Sequence, residues 1–515
     1  MNVLLRIFGF ILAIIVGAAG AAYIWSQDTD RVKQELETVL NDHSAYQVDL
    51  QGDIQWQLLP FYLKVEDIVA IESETPEGQK ISVKTIEVSL NTSAMWRSVD
   101  TWQIDSVTLG GVTLTQGEAV TRFNRLEFVD LKLDAPIKIS AEFNHNNPPG
   151  EEVSGSLKGF ATYTEATADS GALLTLTDLH VETNIAQALC QIDALQTDGQ
   201  TISTANLPDD AILPLDTLMG YDFSAECDLS NFIYAGLTAA QARLEMTNTA
   251  DQLDLLLSSD DFYQGMVNLE VNVDYAQQDR ASVLQDPKWA VHSTITKLQI
   301  EDLLAAQQRP IRWEGPVSID STLTLTGNTQ AQLQASVAGT TELSSESGRI
   351  DISKIKHQLQ RLAILINKPE EVERWPDQWP YELMQGRWRI QAQDQQFNLA
   401  LDNMSIKGDG TYAIAEDTLD IRAQVTVHQP QQESEFTINP LLVDTPIPVR
   451  CTGPGADPKC RLDERAGQSL IAQALSKDSD TGVRRKLEEK IDEKVPEEYR
   501  DLAKDLLDLL GRSLN

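Results

Sequence analysis

Positive charge is scarce in this 515-residue sequence: 41 lysines and arginines stand against 78 aspartates and glutamates, a formal net charge of −37. Binding nucleic acid requires clustered cations that neutralise phosphates, so no nucleic-acid partner is expected. Adhesion to an anionic membrane surface is disfavoured on the same ground. The carboxylates read as a solvated exterior that keeps the chain soluble. Histidine is rare, at six residues, and cysteine rarer, at four. No CxxC pair occurs and no histidine lies near Cys451, so a zinc site is not expected. HExxH, Gly-x-Ser-x-Gly, Walker A and Gly-x-Gly-x-x-Gly are all missing, which leaves metalloprotease, hydrolase, P-loop and dinucleotide chemistry without a motif. "GDGTYA" and "GPGADP" read as turns, since neither leads into a helix that could hold a phosphate. Carboxylate pairs arise by chance among so many, and Trp56, Trp96 and Trp102 read as ordinary sheet burial rather than a sugar platform. The expectation is a protein that is not an enzyme and needs no cofactor.

The four cysteines suit an oxidising compartment. Cys451 and Cys460 bracket the turn-rich loop "TGPGADPK", which leaves Cys190 and Cys227 for each other. Four cysteines allow three connectivities, and this local one is the expectation. By loop entropy the short bridge contributes about 2–3 kcal/mol.

One long apolar run exists. The 19 residues from Ile7 to Trp25 carry no charge, and as a helix they span roughly 28 Å, about one hydrocarbon core. Ile7, Phe8, Phe10 and Ile11 open the run, and Tyr23 and Trp25 close it where aromatic rings suit the headgroup region. Arg6 precedes it and Asp28 and Asp30 follow. The charge asymmetry places the N-terminus in the cytoplasm and the bulk outside, as a single-pass membrane protein. Cleavage as a signal peptide after Ala19-Gly20-Ala21 is the alternative, but a signal core usually has only about 7–15 residues.

Beyond a helix-like stretch at 28–43, period-two alternation dominates. In "VDLQGDIQWQLLPFYLKVEDI" Val48, Leu50, Ile54, Trp56 and Leu58 share one parity, and Phe61, Leu63 and Val65 take over after Pro60. Val267 to Tyr275, Leu419 to Val427, Trp388 to Ala392 and Phe397 to Leu401 alternate likewise. Ile104, Val107, Leu109, Val112 and Leu114 form a further set that Gly110-Gly111 interrupts as a turn or bulge. One apolar and one polar face is the mark of antiparallel sheet. Helices are expected at 301–308 and 351–366 and in the tail at 466–475, 483–495 and after Pro496, where Gly511 suits a stop. Few helices are available to cover many apolar faces. Periodicity alone puts two sheets packed as a sandwich first, with a sheet curled around something apolar second.

Five stretches in order resemble the AsmA family of Gram-negative envelope proteins: "VDLQGDIQWQLLPFYLKVEDIVA", "ISVKTIEVSLNTSAMWRSVDTWQIDSVTLGGVTLTQG", "LTGNTQAQLQASVAGTTELSSESGRIDISKI", "MSIKGDGTYAIAEDTLDIRAQVTV" and "IPVRCTGPGADPKCRLD". In the second, a strand-Gly-strand hairpin is expected, and in the fourth a Gly-x-Gly turn. The resemblance implies an inner-membrane anchor, a periplasmic body and a long, curved antiparallel sheet whose apolar groove shields phospholipid acyl chains. It further implies a part in outer-membrane lipid homeostasis and, as the alternative, in assembling outer-membrane proteins or scaffolding an envelope complex. On that reading Val48, Leu50, Ile54, Trp56, Leu58, Phe61, Leu63 and Val65 line the groove at its membrane end. The expected organisation is an anchor at 1–27, an N-terminal β module at 28–118, a variable β-rich region at 119–320, a C-terminal β module at 321–463 and amphipathic helices at 464–515.

Overall fold

A computed structural model describes residues 33–34, 37–38, 41, 46–58, 61–72, 80–90, 104–116, 119–131, 135–146, 152–164, 173–196, 211–275 (without 214, 220, 235 and 250), 287–357 (without 355), 360, 373–429, 443–462 (without 456) and 489. The anchor run at 7–25, Trp96, Trp102 and all but one residue of the C-terminal tail lie outside them. Among the described residues no helix is long and apolar enough to cross a membrane.

The protein is mostly β. Its strands are β1 Tyr46–Leu50, β2 Ile54–Leu58, β3 Phe61–Glu72, β4 Lys80–Leu90, β5 Ile104–Gln116, β6 Ala119–Leu131, β7 Ile137–Asn146, β8 Val153–Thr164, β9 Leu173–Thr183, β10 Gln187–Gln196, β11 Tyr221–Tyr234, β12 Leu237–Asn248 and β13 Gln252–Phe262. They continue as β14 Gly265–Asp274, β15 Lys288–Gln299, β16 Trp313–Glu314, β17 Pro316–Thr326, β18 Ala338–Asp351, β19 Gln378–Gln391, β20 Asp394–Leu401, β21 Met404–Ala413, β22 Thr418–Val427, β23 Ile447–Pro454 and β24 Lys459–Leu462. The named helices are short: α1 Leu215–Leu218, α2 Ile300–Ala306 and α3 Gln330–Ser336. All 24 strands belong to one unclosed antiparallel sheet, which corrects the sandwich expectation. Alternation reveals that a strand has one apolar side, and it is silent on what covers that side.

Contacts divide the chain into two compact units. Unit 1 comprises Met1–Asp261, Leu269–Trp289 and Gly327–Gln330, and unit 2 comprises Phe262–Asn268, Ala290–Thr326 and Ala331–Asn515.

In unit 1 the strands pair in chain order, as hairpin follows hairpin. β1 and β2 both pair with β3, end to end, so that Leu50 faces Ile68 and Ile54 faces Val65. Between them Gly52 lies so close to Glu66 that a Cβ there would sit 2.5 Å from its carbonyl oxygen. Two side chains that precede β1 pair with its outer edge: Glu37 accepts from the Leu50 amide (2.9 Å) and Asn41 from that of Val48 (2.6 Å). Pairing an edge in this way removes a template for aggregation.

The alternation slips by one residue at a row crossing β3, β4 and β5. Leu63 and Val65 are buried, then Ile68 and Ala70; Ile81 and Val83, then Ile86 and Val88; Val107 and Leu109, then Val112 and Leu114. Register aligns the slips at Asp67, Lys84 and Gly111, because Ile68 faces Val83, which faces Val112, while Glu66 faces Thr85, which faces Gly110. Asp67 (φ 48°) and Gly111 (φ 61°) take the left-handed conformation there. Each strand spends an extra residue in the row, so both of its halves keep their apolar side chains on one side of the sheet. Gly110-Gly111 is therefore neither a turn nor a hairpin tip: β5 runs through it as one strand of 13 residues. Likewise Gly408 and Gly410 lie inside β21, not in a turn. At Gly408 a Cβ would come within 2.3 Å of the Phe397 ring across the ladder, and at Gly410 within 2.2 Å of the Asp420 carbonyl oxygen.

In unit 2, β17 to β24 also pair in order, and β16 adds to β18 beside β17. The helix expected at 301–308 is α2, and the described positions 353, 354, 356, 357 and 360 within 351–366 are helical.

Candidate functional site

The apolar side of the sheet in unit 1 is the strongest candidate. One cluster of buried side chains runs from Val48 on β1 to Cys190 on β10, with Leu157 and Ala161 of β8 packed against it. Of the eight residues expected on a groove floor, Val48, Leu50, Ile54, Leu63 and Val65 belong to this cluster. The side chains of Trp56, Leu58 and Phe61 lie outside the described residues, although their backbones are strand. Sequence reasoning named only the first strands of the face. Ile86, Leu109 and Leu126, each at most 2 % exposed, lie at its heart. The alternation in "KISVKTIEVSL" could have added Ile81 to Val88, but the slip at Lys84 splits it into two short runs.

Purity sets this face apart. Among the described residues, the buried polar side chains are Asn248, Ser259, Ser321, Asn328, Thr329, Ser345, Gln395 and Thr445, so none falls between β1 and β10. Burying a polar group requires a partner, and a face without one offers only apolar contact. The polar side carries solvent-accessible, partly buried pairs such as Lys64–Glu66 (2.7 Å) and Arg125–Glu127 (3.1 Å), which add little stability. Two shallow hollows, of about 750 Å³ beside Arg243 and about 610 Å³ beside Arg387, draw most of their lining from that polar parity. Arg243 is occupied there by Glu226 (2.9 Å), Asp228 (3.8 Å) and Glu245 (2.8 Å). No group of three or more metal-ligating side chains is found among the described residues.

Both disulfides sit on apolar sides. Cys190 bonds Cys227 directly across β10 and β11, and Cys451 bonds Cys460 directly across β23 and β24. The connectivity is the local one that the spacing suggested. The apolar side of unit 2 includes Met384, Leu401, Met404, Val427, Ile447 and Val449, with Cys451 and Cys460 packed against them. It is less pure: the Ser345 hydroxyl is hydrogen-bonded to that of Tyr381 (2.7 Å), which also accepts from Trp313 Nε1 (2.6 Å).

The loop inside the second disulfide is held by charge. Asp457 meets Lys354 Nζ at 2.5 Å and Arg312 at 2.7 Å, and the hydrogen bond from Lys354, with that from Arg312, lowers its pKa to about 2. In unit 1, burial first and the nearby Asp222 second push the Tyr275 hydroxyl well above its usual range.

Residues 1–124 match the family model described as AsmA family, covering the first two of the five resembling stretches. No curated protein and no solved structure matches the chain. Over residues 1–124 this chain is similar to the AsmA family.

Proposed function

We propose that this protein is a non-enzymatic carrier of phospholipid in a bacterial envelope, and that it holds acyl chains against the apolar side of β1–β10. The observation that carries the reading is the unbroken apolar lining, without a buried polar side chain from Val48 to Cys190 among the described residues. A lipid crossing water exposes its chains at about 0.8 kcal/mol per CH₂, so one sixteen-carbon chain costs on the order of 13 kcal/mol. A continuous apolar lining lowers that barrier without any reaction. What the match of residues 1–124 to the AsmA family model implies supports the same reading, and so does the uncharged run at 7–25, which would anchor the chain in the inner membrane with its bulk in the periplasm. The polar side of the sheet would face water. Mass spectrometry of lipid extracted from the detergent-purified protein tests the proposal. Phospholipid recovered in near-equal amount to protein is expected, and recovery no higher than from a control membrane protein with one anchor helix would overturn it.

A further inference from the structure

Residues 211–219 lie on the same side of the sheet as the apolar lining. Register fixes the side. Cys190 and Cys227 are opposite and bonded, so both point to one side. Ala225 and Phe223 follow at two-residue steps and share it. Met246 lies opposite Ala225 and Asn248 opposite Phe223; Leu255 and Leu253 lie opposite these in turn. Onto this continuation of the face pack Leu213, Leu215, Leu218 and Met219, in one cluster with Phe223, Met246 and Leu253. Leu215, in α1, is 0 % exposed.

Two buried asparagines clamp the segment by its backbone. Asn328 donates from Nδ2 to the Leu213 carbonyl (2.9 Å) and accepts the Leu213 amide at Oδ1 (3.0 Å), while its own carbonyl takes the Ile212 amide (2.8 Å). Asn248 donates to the carbonyls of Leu218 (2.8 Å) and Tyr221 (2.5 Å), and its Oδ1 accepts from the Tyr275 hydroxyl. Both asparagines are at most 1 % exposed. If the segment lifted away, these amides would lose their partners in an apolar setting, at the full cost of desolvated polar groups. The clamp therefore argues for a permanent occupant rather than a loop that comes and goes.

We propose that residues 211–219 form a fixed stop on the lipid-bearing face. Their four apolar side chains occupy, at β11–β13, the kind of surface that acyl chains take on β1–β10. Within unit 1 the cargo is confined to the first ten strands, and the site ends blind at the stop. This inference rests on the lipid reading above.

The experiment places p-benzoylphenylalanine, in the full-length protein in intact cells, at either of two native phenylalanines. Phe128 lies in the lining on β6 and Phe223 lies under the stop. Phospholipid adducts are expected at 128, and at 223 only the background seen without the crosslinker. In an Asn328→Ala background the adduct at 223 should appear. Equal capture at 128 and 223 in the otherwise native chain overturns the stop and leaves the lipid reading intact. No capture at 128 overturns the lipid reading, and the stop with it. If Asn328→Ala does not fold, the comparison of the two positions in the native background decides alone.

Discussion

A carboxylate placed at Ile86 measures how dry the apolar face is. Ile86 is 1 % exposed, and its direct neighbours across the ladder are Val65 and Leu109, both at most 2 % exposed. Among the described residues, no buried charged or polar side chain lies on β1–β10. Ile86→Glu should therefore fold with its carboxyl neutral, and the pKa in the folded state should rise by about 3–5 units, as for fully buried groups. The neutral comparison is Ile86→Gln, which has the same shape and loses the same apolar contacts. Because the folded pKa is raised, the two variants should be equally stable below the unfolded pKa of about 4.3, and the glutamate should lose about 1.4 kcal/mol for each pH unit above it. The gap reaches about 4 kcal/mol at pH 7, a large share of a typical stability of about 5–15 kcal/mol. Urea denaturation of both variants between pH 4 and pH 8, followed by tryptophan fluorescence, reads the gap directly. Equal midpoints at pH 7 would show that water reaches position 86 and would refute the reasoning.

Three further outcomes are expected. Tyr275→Phe removes the donor to Asn248 and to the Thr249 carbonyl (3.0 Å), so it should destabilise the protein by about 1–3 kcal/mol in urea denaturation; an unchanged midpoint contradicts this. Asp457, with its pKa lowered to about 2 by Lys354 and Arg312, stabilises the folded state above the ordinary carboxyl range, and that contribution fades as pH falls from about 4 towards 2; a carboxyl NMR titration should show the low midpoint, and Arg312→Gln should raise it. Non-reducing peptide mapping should link Cys190 to Cys227 and Cys451 to Cys460, and alkylation of all four thiols in the exported protein would count against both bridges.

Much of the fold is legible in alternation, because a residue's side of a strand follows from its parity. Val48, Leu50, Ile54, Leu63 and Val65 could be assigned to one face from sequence, and all five are buried together. Parity fails where the backbone slips. A single extra residue at Lys84 or Gly111 reverses the pattern, and no side-chain type marks that reversal except the glycine. The glycines at 408 and 410 look like a turn because glycine permits one, whereas both lie inside β21, and at Gly410 a Cβ would come within 2.2 Å of the backbone of the neighbouring strand. The stop was invisible for a different reason. Leu213, Leu215, Leu218 and Met219 are too few to show a helical period, and their anchors Asn248 and Asn328 lie far away in the chain. An asparagine ordinarily reads as exposed, and only the partners assembled by folding show that these two are buried.

The claim that acyl chains rest on the apolar side of the first ten strands is tested most directly on two adjacent residues of β6. Leu126 belongs to the lining at 1 % exposure, and Glu127 points to the polar side, where it meets Arg125. A photocrosslinking side chain at each position in turn, activated in intact cells, reports which side meets lipid. Phospholipid adducts at 126 and none at 127 are predicted. Adducts at neither position, or equally at both, would contradict the account.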